Sequence, residues 1–386
     1  MVQTTRTTPR EDTQATGNGA STNGATGGRV YPAAPPAPVM TEPADLSWMD
    51  KTTGWGTRAR PDFVHGGGLT IDALNVGVYS EVPDHFPYRN RLPRGAYPSP
   101  IAGSIGGYYL QDKHEQWADS AGLLYEEGIS RRWSTATDVP WETAHGLPDD
   151  VEIAICQVAT ELSHQGSIEV EVVSSWLKNL SPGFHEVKLY LATCVYDAAR
   201  MFEGYRKRGM VNGGGMLFES PGRMNRAVME TFSGWTQTAL GLWFLRGTLQ
   251  LTILRYLAAY GPTEADRVLA ARTIPDRMRA AAYAVDHIRQ AIAVKPDQRT
   301  PFAMWLTNLE LAQIADARDP VLWEALAVVL GGGVRNIDEG MAIVRRLQRD
   351  WIRSYLERTK AAGLERGAML GRPYQAMLAE GASTTA

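Results

Sequence analysis

Two short segments, Asp197-Ala-Ala-Arg-Met201 and Asp276-Arg-Met-Arg-Ala280, decide how the rest of this sequence is interpreted. Each begins with an aspartate and has an arginine at its fourth position. Both lie in stretches whose apolar residues recur with helical spacing, roughly residues 184–208 and 263–295. The sequence therefore contains two similar helical segments, one in each half of its helical region.

The composition is that of a globular protein with a nearly balanced charge. The chain has 386 residues, of which 44% are hydrophobic, and its formal net charge is -3. This length is sufficient for one large domain or two medium-sized domains, each with a buried core. The charge does not indicate a protein that binds nucleic acid.

The cysteines and the N-terminal sequence predict a cytoplasmic location. Cys156 and Cys194 lie in apolar helical patterns without zinc-binding or redox spacing, so we interpret them as small buried hydrophobic residues in a reducing compartment. The N-terminus lacks a basic segment followed by an apolar run, which argues against a signal peptide. The most apolar stretch, residues 240–259, contains Arg246 and Arg255, which a lipid-facing helix tolerates poorly. We expect a central buried helix there, and no membrane contact.

The chain is expected to divide into four parts. Residues 1–45 are rich in Thr, Gly and Pro and are predicted to be a disordered tail. Residues 46–110 are predicted to form an irregular aromatic arm, which packs either on another subunit or on the chain's own core. Residues 111–300 are predicted to form a helical bundle, and residues 301–386 a C-terminal helical extension. Strand patterns are nearly absent, and the predicted helices are roughly 111–132, 150–178, 184–208, 223–260, 263–295, 302–315, 320–330 and 337–362.

Several segments between residues 120 and 290 together point to one protein family. They are Tyr125–Trp133, Thr137–Trp141, Gln157–Gly166, Leu191–Glu203, Leu242–Leu251 and Ile274–Arg289. These segments resemble the ferritin-like di-iron carboxylate superfamily, of the ribonucleotide reductase small subunit and bacterial multicomponent monooxygenase type. In that superfamily, four bundled helices supply two single Glu ligands and two Glu-x-x-His pairs to the metals. The resemblance implies an all-α, ferritin-like four-helix bundle.

The resemblance also implies that the metal ligands have been lost. The two opening segments look like Asp-Glu-x-Arg-His signatures in which the Glu and His positions hold other residues. Carried over in chain order, the vacated ligand positions are Gly166, Ala198, Met201, Arg246, Arg277 and Ala280. The spacing is retained, because the first two positions of each helix pair are 32 and 31 residues apart. We therefore expect no metal cofactor in this chain.

An alternative interpretation retains an iron site. The string Glu161-Leu-Ser-His164, with Glu127 upstream at the spacing of two antiparallel helices, supplies half of a di-iron site. Neither of the two later histidines has a glutamate three positions before it, so no second Glu-x-x-His pair exists downstream. In this alternative Glu127, Glu161 and His164 are the fallback iron ligands, and unorthodox residues complete the site.

Arg246 and Arg277 need a separate explanation, because a buried guanidinium requires acceptors for its five N–H donors. An arginine on an apolar helix either extends to the surface or pairs with a carboxylate inside the bundle. We hypothesise a salt-bridge plug at the former metal centre, and the alternative is that the two arginines bind a small anion. By family geometry the expected partners are Asp197, Glu161, Glu230 and Asp276.

Three functions are compatible with the resemblance. The favoured one is a non-catalytic, metal-free partner subunit of the β type, which scaffolds a bacterial di-iron oxygenase and is inactive alone. Its expected partner is a catalytic ferritin-like di-iron homologue, or a second copy of itself. The alternatives are a di-iron oxygenase or oxidase in its own right, and a stand-alone protein that binds a ligand in the vacated cavity. All three rest on analogy at the level of the fold.

Overall fold

A computed structural model shows that helices form nearly all of the regular structure. The structure describes residues 46–50, 54–62, 67–86, 91–97, 109–220, 222–231 and 233–379. Within these ranges, extended pairing is limited to isolated bridges, such as the one between His85 and Asp112. The all-α prediction is confirmed.

The helix bounds agree with the predicted ones in most places. The α-helices of the described residues are α1 (Ala121–Ser130), α2 (Asp149–Leu177), α3 (His185–Val211), α4 (Arg223–Met229), α5 (Trp235–Leu240), α6 (Arg246–Tyr260), α7 (Glu264–Val294), α8 (Arg299–Asp316), α9 (Val321–Gly331), α10 (Ile337–Ala361) and α11 (Arg372–Ala379). Gly241–Leu245 is a π-helical turn that joins α5 to α6 without a break.

Two predicted helices differ from the structure. The helix expected at 111–132 is only α1, because the side chain of Asp286 accepts hydrogen bonds from the backbone N–H and hydroxyl of Ser120 and fixes a new helix start there. The helix expected at 223–260 is interrupted after α4. Gly234 stands just before α5 with a backbone φ of 156°, a value that residues other than glycine rarely adopt.

Four long helices form the bundle. α2 packs along α3, α6 packs along α7, and α3 meets α7, while α9 and α10 cover α2 and α6. From Arg246 to Leu254 every residue of α6 is buried, as expected for a helix enclosed on all sides. None of the described helices has the length and apolar character needed to cross a membrane.

Asn75 and Arg94 of the N-terminal arm contact the chain's own helix α3. Arg94 donates to Glu186 of α3 at 2.6 Å, and Asn75 donates to the same carboxylate at 3.0 Å.

Residues 53–386 form one compact unit, so the C-terminal helices belong to the same unit as the bundle. The short 3-10 helix Ser47–Asp50 belongs to a separate unit, residues 1–52. The predicted tail at 1–45 lies outside the described residues.

The C-terminal helix α10 satisfies backbone groups of the π-helical turn. The indole N–H of Trp351 donates to the carbonyl of Leu245 at 3.0 Å, and the Arg358 guanidinium donates to the carbonyl of Trp243. A π turn departs from the regular helical hydrogen-bond ladder and is more common at functional sites than elsewhere. Residues beyond 300 therefore stabilise the turn that leads into Arg246.

His287 is a fully buried histidine of the core. One ring nitrogen lies 2.9 Å from the carbonyl of Trp117 and the other lies 3.0 Å from the hydroxyl of Thr236, so both have partners. Burial lowers the pKa of His287 to about 4. These contacts fit the structural role indicated by a single imidazole with no acid three or four positions before it in the sequence.

The lowered pKa of His287 makes stability depend on pH. The unfolded chain binds a proton near pH 6.5 and the folded chain only near pH 4, so this contribution is complete above pH 6.5 and is lost as the pH falls toward 4. We expect a loss of about 2 kcal/mol in the free energy of unfolding between pH 7 and pH 5 from this group alone. Urea unfolding of His287→Gln should lack this component, whereas exposed His145→Gln should retain it. An identical pH profile for both variants would contradict the assignment.

Candidate functional site

The two Asp-x-x-Arg segments meet at the centre of the bundle in one ring of charges. Asp197 on α3 accepts from Arg200 at 2.5 Å and from Arg279 at 2.8 Å. Asp276 on α7 accepts from Arg279 at 2.5 Å and from Arg200 at 2.8 Å. The indole N–H of Trp133 also donates to Asp276 at 3.0 Å. Each carboxylate therefore pairs once within its own helix and once with the facing helix.

This ring of charges is enclosed by protein. The four side chains are at most 4% exposed, so their charges are held in a medium of low polarity. Burial, followed by the charge of Asp276, raises the pKa of Asp197, while Arg279 and Arg277 act in the opposite direction. At Arg279 burial disfavours the charged form, but the charge and hydrogen bond of Asp197 raise its pKa overall. The ring is electrically neutral only when all four groups are ionised.

A second buried pair joins α2 to α7. Glu169 Oε1 lies 2.6 Å from Nη1 of Arg277, and it accepts a hydrogen bond from the indole N–H of Trp243 at 2.9 Å. Burial disfavours the Arg277 guanidinium, but Glu169, Asp197 and Asp276 raise its pKa well above the ordinary value. Both charged side chains are at most 2% exposed. Trp243, on the π-helical turn, therefore helps to position the carboxylate that neutralises Arg277.

Arg246 lies beside this pair without a direct carboxylate partner. Its Nε donates to the side-chain oxygen of Asn225 at 3.2 Å, and its Nη2 donates to the carbonyl of Gln165 at 2.9 Å. Its Nη1 has no hydrogen-bond partner among the protein atoms. Burial lowers the pKa of Arg246, although the charges of Glu169 and Glu161 partly oppose the effect. The residue is 2% exposed, so it does not extend to the surface.

The other positions that the family resemblance assigned to lost metal ligands hold small or apolar residues. Ala198, Met201 and Ala280 are at most 1% exposed and form part of the core. Gly166 faces the backbone of α3, because a Cβ built on it would lie 2.8 Å from the backbone nitrogen of Phe202. A larger side chain at Gly166 would therefore push α2 and α3 apart.

The fallback iron ligands do not form a three-ligand cluster. Glu127 pairs with Arg131 at 3.4 Å, and His164 lies 3.3 Å from the exposed Glu219. Glu161 accepts from Gln165 at 2.6 Å and from the hydroxyl of Ser220. Over the described part of the chain, one group of three His, Cys, Asp or Glu residues has ligand atoms within 4.8 Å of one another. That group is Asp112, His114 and Glu115, on a partly buried 3-10 turn.

The carboxylates that were expected to pair with Arg246 and Arg277 have other partners in the structure. Asp197 and Asp276 pair with Arg200 and Arg279, which the sequence analysis did not name as site residues. The expected pairing with Glu230 is wrong, because Glu230 lies on the surface with Arg226 at 2.9 Å.

Glu169, the carboxylate that pairs with Arg277, was missed in the sequence. A usable signal existed, since Glu161, Gln165 and Glu169 recur at intervals of four and therefore share one face of the helix.

Comparison of the fold with solved structures decides the architecture. The structure of an R2-like ligand-binding oxidase with a valine-to-isoleucine substitution and an aerobically reconstituted Mn/Fe cofactor matches with a TM-score of 0.51. The match covers 63% of this chain and 93% of that chain, at 15% sequence identity. The fold is ferritin-like.

Other comparisons add little to this match. A valine-to-leucine variant of the same kind of oxidase, also with a Mn/Fe cofactor, gives a TM-score of 0.48 at 14% identity over the same shares of the two chains. The sequence matches no protein-family profile and no curated protein sequence. At 15% identity the likeness extends to the ferritin-like fold and no further.

The residues at the centre of this ferritin-like bundle do not fit a dinuclear metal site of the usual kind. Such a site takes a Glu from each of two helices and a Glu-x-x-His pair from each of the other two. Here Glu169 is paired with Arg277, and Arg246 adds a second guanidinium beside it. Two fixed positive charges repel a divalent cation, and the effect is strong where water is excluded. The geometry supports a charge-paired core.

We expect removal of one partner of the Glu169–Arg277 pair to be more damaging than removal of both charges. Arg277→Met leaves the Glu169 carboxylate buried without its counter-charge, at an expected cost of about 3–5 kcal/mol in the free energy of unfolding. Adding Glu169→Gln to this variant should recover most of the loss, because a neutral amide still accepts from Trp243. Urea unfolding followed by circular dichroism measures both.

Exposed Arg226 on the surface pair with Glu230 provides the matched control for this prediction. Arg226→Met should change the free energy of unfolding by less than about 1 kcal/mol. If Arg277→Met costs no more than Arg226→Met, the buried pair is not important for stability.

Proposed function

We propose that this chain is a non-catalytic, metal-free ferritin-like subunit that scaffolds a catalytic di-iron homologue. The observation that carries the proposal is the Glu169–Arg277 pair, with Arg246 beside it, at the centre of the bundle. A subunit with this centre keeps the shape of the bundle while paired charges take the place of metal ligands. The R2-like ligand-binding oxidase shares the fold and has a Mn/Fe cofactor, so the same architecture serves a metal-containing oxidase elsewhere.

Electrostatics supports the metal-free assignment. Arg277 is held in its charged form by Glu169, Asp197 and Asp276. A metal ion at this place would have to displace a guanidinium that already has its counter-charge, and would leave that guanidinium buried and unpaired. The fallback alternative receives no support from the geometry, since Glu127, Glu161 and His164 contact other partners.

Exposed apolar side chains support a role in association. On α3 and the segment that follows it, Tyr196 is 51% exposed, Met210 is 55% exposed and Phe218 is 72% exposed. A surface that exposes large apolar side chains is a candidate for contact with another protein. We assign this surface, called the α3 surface below, to a catalytic ferritin-like homologue, and self-association is the alternative.

The metal content of the purified chain tests the first half of the proposal. After expression alone in medium rich in iron and manganese, elemental mass spectrometry should find far less than one metal ion per chain. A content near two per chain would overturn the metal-free assignment. In that case Glu161→Gln and His164→Gln would show whether the fallback ligands hold the metal.

Binding to a catalytic homologue tests the second half. A ferritin-like protein from the same organism that retains both Glu-x-x-His motifs should co-elute with this chain in size-exclusion chromatography with light scattering. Met210→Glu on the α3 surface should weaken the complex at least tenfold, because a charge replaces an apolar contact. Leu311→Glu, at a similarly exposed residue of α8, should leave it unchanged. Equal effects of the two variants, or a chain that only self-associates, would contradict the assigned surface or partner.

A further inference from the structure

A small polar cavity lies beside Arg246. None of the buried ion pairs described above fills it. Its volume is about 40 Å³, and residues of α2, α4, α6, α8 and α9 line it. A water molecule needs roughly 10–15 Å³ of such space, so the cavity has room for about three or four non-hydrogen atoms. The polar residues important below are Glu161, Asn225, Arg246 and Asp316.

One wall of the cavity offers an unused hydrogen-bond donor. Arg246 is 2% exposed, and two of its nitrogens already donate to Asn225 and Gln165. Its third nitrogen, Nη1, has no protein partner. A buried donor left without an acceptor costs free energy, so this side of the cavity favours a ligand with an acceptor atom.

The remaining polar wall offers acceptors. Glu161 receives hydrogen bonds from Gln165 and Ser220, and Asp316 receives them from the backbone N–H groups of Arg223 and Met224, the latter at 2.7 Å. These contacts hold the two carboxylates in place. Because a carboxylate oxygen has two acceptor positions, both groups can still accept from a ligand.

The hydrogen-bonding groups of the lining, rather than its net charge, select the ligand. The lining has three carboxylates, those of Glu161, Asp316 and Asp319, and one guanidinium, that of Arg246. A carboxylate ligand has no N–H donor for the three carboxylates, and an amidinium has no acceptor for Nη1 of Arg246. Burial raises the pKa of Asp316, and the backbone N–H groups of Met224 and Arg223 act in the opposite direction. A neutral molecule with an acceptor at one end and N–H donors at the other satisfies both walls.

We propose that this cavity binds a small neutral amide, of the primary carboxamide or urea type. Its carbonyl oxygen accepts from Nη1 of Arg246, and its amino group donates to Glu161 and Asp316. The inference is separate from the proposed scaffold function, because it rests on the lining of a cavity within this chain and on no contact with a partner subunit.

Three molecules of equal shape and different charge test the proposal on the full-length chain. Acetamide is neutral, acetate is an anion and acetamidinium is a cation, and each has four non-hydrogen atoms. Saturation-transfer NMR titrations should show saturable binding of acetamide with a Kd of about 1–100 mM, since so few atoms give limited affinity. Acetate and acetamidinium should bind at least tenfold more weakly. Tighter binding of either ion would overturn the neutral class, and absence of saturable acetamide binding would mean that the cavity holds water only.

Variants connect the binding to the cavity. Arg246→Gln removes the unused guanidinium donor. Asp316→Asn replaces a carboxylate that accepts hydrogen bonds from the ligand with a neutral amide. Each variant should weaken acetamide binding at least tenfold. Asp316 is only half-buried, which provides a second variant if Arg246→Gln does not fold. Glu230→Gln, at an exposed carboxylate outside the cavity, is the matched control and should bind acetamide normally. Binding that survives in both cavity variants would place the amide elsewhere and overturn the proposal.

Discussion

The need to neutralise buried arginines constrains this bundle more than any other interaction. A guanidinium removed from water is costly unless a counter-charge lies beside it. Arg200 and Arg279 share Asp197 and Asp276 as counter-charges, and Arg277 has Glu169 as its counter-charge. Each of these arginines has one pairing that crosses to another helix, so the positions of α2, α3 and α7 are fixed relative to one another by charge as well as by apolar packing.

The same constraint operates at the ends of the bundle. Arg208 of α3 bridges Glu152 of α2 at 2.8 Å and Asp266 of α7 at 2.6 Å. Near the C-terminus, Arg366 pairs with Glu310 of α8 at 2.8 Å. Such pairs are weak evidence for stability by themselves, because desolvation offsets most of the attraction. The pairs favour one helix register over the others, because a shifted register would leave charges buried and unpaired.

The sequence predicted the fold better than it predicted the contents of the site. Helical periodicity located α2, α3, α7 and α10 closely, because helix ends depend on local capping such as the Thr263–Asp266 capping box of α7. The pairing of Arg277 with Glu169 depends on how α2 is rotated against α7, which no local pattern contains. The π-helical turn was also missed, since it depends on contacts with Trp351 and Arg358 from a helix about a hundred residues away.

The paired charges also make folding independent of a metal supply. In a metal-binding bundle the ligands are unpaired carboxylates until the metal arrives, so part of the folding free energy comes from binding the metal. Here Arg277 supplies to Glu169 the positive charge that a metal would supply, and it does so from within the chain. Under the proposed function this is an advantage, because a scaffold whose shape does not depend on metal supply can bind its catalytic homologue before or after that homologue is loaded. One unpaired donor, Nη1 of Arg246, lies beside this charge-paired core and also lines the small cavity. It is therefore the place where a small molecule can still complete the hydrogen bonding without disturbing the pairs that hold the bundle together.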